Sequence, residues 1–203
     1  NVDCEVDISI SSKQELNTAK FDSVSVPLSR SGLGGLGRLW HSVLDPSELS
    51  VKELENSVSD IATREYEERD WPEVSKIHDL ARPIELEGSC DPRAFAPLAD
   101  DKNDLQEFLN SRKLVACYET RIVGFIGIDA STIGWLYVDP KETGQGIGRH
   151  LVREALVRVR QGASVFVLEG NVRAISLYKS EFFEVVDRFD SDNNGYPCTV
   201  LKM

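Results

Sequence analysis

Residues 136–156, LYVDPKETGQGIGRHLVREAL, pass from a strand pattern through three glycines in five positions, Gly144, Gly146 and Gly148, into a run with helical spacing. Glycine at a helix start lets backbone N–H groups reach an anion, because no Cβ blocks the approach and the helix N-terminus is partly positive. Leu151, Val152, Ala155, Leu156 and Val159 predict a helix of about four turns after the glycines. The amides of Gln145 to Arg149 would then gather around its first turn. G-x-x-x-x-G-K-[ST] does not occur here, so the turn is not a nucleoside-triphosphate loop of that kind. It asks for a different phosphate-bearing ligand.

Upstream of the glycines lie three closely spaced strand patterns, KLVACYE, IVGFIGID and IGWLYVD, the first two separated only by Thr120-Arg121, a hairpin spacing. Before them, IATREYEE reads as a strand, and DWPEVSKIHDLAR as a helix opened by Asp70 and Glu73 in capping-box spacing, with Val74, Ile77 and Ala81 on one face. A second helix is expected over Asp101 to Arg112, with Leu105, Phe108 and Leu109 inward. SVFVLE, a helix over Val172 to Ser180, FEVVDRF and YPCTVLKM complete the order βααβββαβαββ. The fold class expected is α/β (α+β).

The first sixty residues read differently. VDCEVDISI alternates like a half-buried strand, GLGGLG at 32–37 formally fits G-x-G-x-x-G, and a capped short helix follows Asp45-Pro46. A dinucleotide site would need a strand before those glycines and a long crossover helix after them, so the stretch is read as a flexible joint. Residues 1–60 are expected to form an N-terminal extension and residues 61–203 the main domain.

The formal charge of −11 on 203 residues speaks against a nucleic-acid binder and suits a cationic substrate. Between Lys141 and Arg160 the balance reverses, with Lys141, Arg149, Arg153, Arg158 and Arg160 against Glu142 and Glu154, as a bound polyanion would require. Cys4, Cys90, Cys117 and Cys198 form no C-x-x-C, and three scattered histidines complete no metal set, so neither a disulfide framework nor a metal is expected. Apolar runs fall well short of the roughly 20 residues of a membrane span. The opening NVDCEVDISI has neither a basic region nor a continuous apolar core, so no signal peptide is expected and the expected compartment is the cytoplasm.

The 136–156 stretch resembles the acyl-CoA-binding motif of the GNAT family, the GCN5-related N-acetyltransferases, with its Gln/Arg-x-x-Gly-x-Gly/Ala after a strand ending in Val-x-Pro. Thirty residues on, VLEGNVRAISLYKSEFFEVV (167–186) resembles the second signature: Asn, then Ala, then Tyr on a helix, then Gly-Phe. The resemblance covers about residues 61–203 and implies a mixed, mostly antiparallel sheet flanked by helices. Two positions depart from it. Thr143 stands where the family has Gln or Arg, which leaves the backbone amides in place; Phe182 stands where it has glycine, so the turn after the helix is expected to be built differently.

The resemblance implies acetyl-CoA, or another acyl-CoA, as co-substrate and a small-molecule or peptide amine as acceptor; the net charge and the short apolar runs already give the expectation of no nucleic-acid and no membrane partner. It implies that Leu136, Tyr137 and Val138 pair their backbone with pantetheine, that Thr143, Gly144, Gln145, Gly146, Ile147, Gly148 and Arg149 hold the pyrophosphate, and that Asn171 and Ala174 meet the pantetheine arm. Tyr178 takes the place of the general acid that protonates the departing thiolate. A lysine-like amine, with a pKa of about 10.4, is almost wholly protonated at neutral pH, so its proton must be removed. Within IGWLYV no acid is present; Asp129, Glu169 and a water relay are the alternatives. Transfer of a longer acyl chain and a silent acyl-CoA-binding regulator are the rival functions. A homodimer through the N-terminal arm or a sheet edge is the expected route to self-association.

Overall fold

A computed structural model describes residues 61–159 and 162–203. The readings made over residues 1–60, including the arm of a homodimer, lie outside the described residues, as does Arg160. Seven strands and four α-helices follow in the expected order: β1 (Ile61–Glu65), α1 (Trp71–Leu86), α2 (Lys102–Asn110), β2 (Arg112–Tyr118), β3 (Arg121–Asp129), β4 (Thr132–Val138), α3 (Ile147–Arg158), β5 (Ser164–Leu168), α4 (Val172–Ser180), β6 (Asp187–Asn193) and β7 (Tyr196–Lys202).

The strands form one sheet in the order β1-β2-β3-β4-β5-β7-β6. Every neighbouring pair is antiparallel except β4 and β5. β2 and β3 are buried on both faces, which is why their sequences read as continuous apolar runs. One face packs Phe125 and Trp135 against Val74 and Ile77 of α1 and Phe108 of α2. The other packs Ile126 and Ile133 against Ile147, Leu151, Val152 and Ala155 of α3 and Tyr178 of α4. A third, smaller cluster joins Leu86, Ala94, Leu168 and Cys198 where the end of α1 meets β5 and β7.

Several local expectations are corrected. β1 stops at Glu65 because the buried Asp70 carboxylate takes both terminal nitrogens of Arg64, at 2.6 and 2.8 Å, and the Glu67 N–H at 2.8 Å, drawing Glu68–Asp70 into a 3-10 turn. α1 continues past Arg82 and through Pro83 to the fully buried Leu86. On α2, Phe108 is buried while Leu109, one position on and so turned by about 100°, is 58% exposed. The β2–β3 turn is Glu119-Thr120, with Glu119 left-handed at φ 54 and Tyr118 opposite Arg121. α3 is about three turns long. β6 begins at Asp187 rather than Phe183, after a helix-ending turn described below. Among the described residues no helix is long and apolar enough to cross a membrane.

Candidate acyl-CoA site

β4 and β5 begin side by side and then part. Among the described residues they pair only at Thr132 with Ser164 and Ile133 with Val165. The β3–β4 register slips at the same point, with Gly127 opposite Trp135 and Ile128 opposite Ile133, leaving Gly134 as the extra residue of a bulge. Beyond it, Trp135 to Val138 stay paired with β3 but have no ladder partner on the β5 side. A row of backbone donors and acceptors is thus left open to an extended, amide-bearing ligand. Leu136, Tyr137 and Val138 lie on this row.

The row leads into the glycine turn. Asp139 caps a short 3-10 turn by accepting from the Lys141 N–H at 3.0 Å, and the Thr143 hydroxyl donates to the Pro140 carbonyl at 2.9 Å. Gly144 and Gly146 are both left-handed, φ 88 and 82, and Gly146 is the N-cap of α3. The first helical bond in α3 runs from His150 to the Gly146 carbonyl, at 2.9 Å. The N–H groups of Ile147, Gly148 and Arg149 therefore precede the helical ladder and are available to a pyrophosphate. Gly148 has a packing reason to lack a side chain: a Cβ there would lie 3.3 Å from Leu177 and 3.8 Å from Val138.

Local basic charge contributes less than the sequence count suggested. Arg149 and Arg153 both pair with Glu181, at 3.1 and 2.9 Å, and Arg158 pairs with Glu154 at 2.6 Å. Glu181, outside the counted segment, neutralises much of it. Backbone amides, more than arginine side chains, make this turn attractive to an anion. Gln145 donates to Glu142 at 2.8 Å, so its side chain also serves the turn.

Asn171 is the N-cap of α4, accepting from the Ala174 N–H at 3.0 Å. Its carbonyl oxygen is thus engaged in the helix, and its amide group is what remains to meet a ligand. Tyr178, two residues from the end of α4, is 4% exposed, and its ring packs edge-on against Phe183 with centroids 5.6 Å apart. Burial raises its phenol well above the ordinary value, with the charge of Glu85 adding to the shift, so the phenol is held protonated.

The same turn that ends α4 fixes Tyr178. The Phe183 N–H donates to the Tyr178 carbonyl at 3.0 Å and the Phe182 N–H to the Lys179 carbonyl at 3.1 Å, with Phe182 left-handed at φ 68. These are the bonds of a Schellman motif, and the Tyr178–Phe183 contact is its usual apolar partner. The expectation of a different turn at Phe182 is therefore corrected: the phenylalanine adopts the glycine conformation and leaves its ring 94% exposed.

Neither acid considered as a base is favoured by its position. Asp129 is exposed at the far end of β3, opposite Thr132, five residues up the strand from Gly124, which lies across from Val138. At about 3.4 Å per residue that separates it from the glycine-turn end of β4 by roughly 17 Å. Glu169, also exposed, accepts two hydrogen bonds from Arg188, both at 2.7 Å, which lowers its pKa and occupies both oxygens.

Polar residues of α1 not singled out by the sequence reading pack against β4 instead. Tyr137 donates from its hydroxyl to Glu85 Oε2 at 2.6 Å, and the nearly buried Arg82 donates to the same oxygen at 2.6 Å. His78, 1% exposed, lies edge-on to the Tyr137 ring with centroids 5.0 Å apart; its Nδ1 is 2.9 Å from Asp79, and its Nε2 is buried without a partner. Burial lowers the pKa of His78. The signal was in the chain: His78, Arg82 and Glu85 fall at i, i+4 and i+7, a polar stripe beside the apolar face of α1.

Comparison with known proteins accords with this geometry. Residues 62–182 match the model of the acetyltransferase (GNAT) family. An 81-residue stretch is 36% identical to the peptidyl-lysine N-acetyltransferase YjaB of Salmonella typhimurium, covering 40% of this chain and 55% of that protein. The chain thus spans about half the length of the curated relatives it matches, the share for Escherichia coli YjaB being 54%. The solution structure of apo YjaB from Escherichia coli is similar over 70% of this chain and 95% of that one, with TM-score 0.55 and 27% identity. The structure of yncA from Salmonella typhimurium with its cofactor acetyl-CoA shares the fold at TM-score 0.53 and 17% identity, over 71% of this chain and 93% of that one. With the family model covering more than half of its length, the chain belongs to the GNAT acetyltransferase family.

Proposed function

We propose that this protein transfers an acetyl group from acetyl-CoA to a primary amine, with a peptide lysine side chain as the acceptor class. The observation that carries the reading is the parting of β4 and β5 beyond Ile133, which runs an open backbone edge directly into the α3 N-terminus. YjaB is named for acting on peptidyl lysine, and a surface of net charge −11 suits a cationic acceptor. Acetyl-CoA supplies an activated thioester; the residues of this chain bind and orient it and manage protons.

In this reading the backbone of Leu136 to Val138 pairs with the pantetheine amides, an N–H near Val138 polarises the carbonyl, and the amides of Gln145 to Arg149 hold the pyrophosphate. Asn171 contacts the arm through its amide. Tyr178 keeps its proton through burial and delivers it to the leaving sulfur. The proton of the amine leaves through water, with Glu85 the acid whose charge is felt at Tyr178. The transferase is assigned to residues 61–203, residues 1–60 are an extension to it, and the enzyme works in the cytoplasm.

The test is thioester turnover with a panel of amines and acyl-CoA chain lengths. Release of CoA that depends on a lysine-containing peptide, and is fastest with the acetyl donor, supports the proposal. Preference for a long acyl chain would reassign the donor, and tight CoA binding without turnover on any amine would make the protein a binding module.

A further inference from the structure

Two thiols outside the proposed site share one small cluster. Cys90 follows α1 in the loop toward α2, and Cys198 is the third residue of β7; both pack with Leu86, Ala94, Leu168 and Tyr196. The Cys90 Sγ lies 3.7 Å from the Tyr196 carbonyl and 3.8 Å from that of Pro197, the two residues before Cys198. Neither thiol is in a disulfide; Cys90 is partly exposed and Cys198 buried.

We propose that Cys90 and Cys198 form a reversible disulfide by exchange with small-molecule disulfides such as oxidised glutathione, and that closing it slows acceptor turnover. The two cysteines have unequal parts. Cys90, the accessible one, attacks the small disulfide as its thiolate, forms a mixed disulfide and releases one thiol. Cys198, once deprotonated, attacks the Cys90 sulfur and releases the second. Two protein thiols and one small disulfide thus become one protein disulfide and two small thiols. Burial, the adjoining Cys90 and Asp192 of β6 push the Cys198 thiol up to about 11, against the opposing charge of Arg82 of α1, which makes it a poor first target and a resolving partner.

The loop is placed to pass this change to the site. It leaves α1 just after Arg82 and Glu85, and at Gly88 its backbone presses on Gly170, where a Cβ would come within 2.1 Å of the Gly88 carbonyl oxygen. Gly170 immediately precedes Asn171, the N-cap of the helix that carries Tyr178. Further along, Asn194 of the β6–β7 turn donates to the Ala94 carbonyl and to Asp101, both at 2.9 Å. A covalent link from Cys90 to β7 would add to these non-covalent ties and fix the loop after α1 against the sheet beside the Asn171 N-cap.

The slowing rests on the acetyltransferase reading; the disulfide itself does not. The full chain would be incubated with oxidised glutathione, quenched in acid, alkylated and mapped by peptide mass spectrometry. A linked Cys90–Cys198 peptide that dithiothreitol dissolves is expected, with Cys198→Ala stopping at a glutathione on Cys90 and Cys90→Ser leaving Cys198 unmodified. Alkylation of both cysteines in the wild type, or linkage to Cys4 or Cys117 instead, would overturn the proposal. On the cross-linked protein, kcat/KM for the amine should fall roughly threefold or more and recover on reduction, with CoA affinity by calorimetry unchanged. Unaltered kcat/KM in fully cross-linked protein would overturn the control of turnover. A reduced protein inactive on every amine would instead count against the acetyltransferase reading and leave the peptide map to decide the disulfide.

Discussion

Phe182 shows how much the position of Tyr178 matters. A phenylalanine at φ 68 with its ring 94% exposed gains little from packing and bears the strain of the left-handed region, yet its turn brings Phe183 onto Tyr178. Phe182→Gly should therefore stabilise the fold by about 1 kcal/mol, seen as a higher midpoint in urea, because relief of strain outweighs the added freedom of the unfolded chain. Tyr178→Phe removes one oxygen and little volume. It should keep CoA affinity and lower kcat by roughly ten- to a thousand-fold; full kcat would reduce the tyrosine to a packing residue. His78 gives a separate reading on pH. Burial lowers its pKa and outweighs the hydrogen bond to Asp79, which works the other way; Arg82 adds to the lowering, and the charges of Asp79 and Asp104 oppose it more weakly. At neutral pH the imidazole is uncharged in both states and its contribution is intact; as pH falls through the unfolded value of about 6.5, the unfolded chain takes up the proton first and stability is lost. The thermal midpoint should fall between about pH 7 and pH 5 more steeply in the wild type than in His78→Asn, which preserves a group able to meet Asp79. Equal slopes would remove His78 from the account.

The turn between β4 and α3 works as a unit. Gly146 is its hinge, at once the N-cap and a left-handed residue, so Gly146→Trp should abolish CoA binding in a calorimeter. Gly146→Asn, a residue that tolerates this conformation, should retain the fold and weaken binding far less. If the tryptophan variant bound CoA with wild-type affinity, the pyrophosphate would lie elsewhere. This element was legible in the chain because its signals are local: alternation in β4, glycines at fixed offsets, and apolar spacing in α3. The element order was legible for the same reason. What escaped were features set by tertiary contact. Pro83 reads as a stop, but α1 runs through it because Leu86 is buried in the third cluster, and that extra turn carries Glu85 to Tyr137. The i, i+4, i+7 spacing of His78, Arg82 and Glu85 becomes one polar stripe only because the helix runs through Pro83. Asp129 and Glu169 were considered as bases because each closes a strand. Only the β3–β4 register and the Arg188 pair show that one is distant from the glycine turn and the other occupied.

At the scale of the whole molecule, the question is which part of the chain the chemistry needs. The family match begins at residue 62, and the described residues build hydrophobic clusters on both faces of the sheet and where α1 meets β5 and β7. The open edge of β4, the α3 N-terminus and Tyr178 all belong to this part. Residues 1–60 carry an alternating segment, a glycine-rich joint and a helix signal that the motifs for acyl-CoA do not call upon. A chain beginning near Ser59 should therefore fold with a single cooperative transition and bind CoA with the affinity of the full chain. The extension should show itself on the acceptor side. We expect residues 1–60, whose sequence holds glycines at 32, 34, 35 and 37, to shape which amine or acyl chain is accepted without taking part in pyrophosphate binding. The ratio of kcat/KM between lysine peptides and small amines should then differ between the shortened and full chains. Insolubility of the shortened chain would make residues 1–60 part of the core, and identical kcat/KM across the whole panel would make them a passenger.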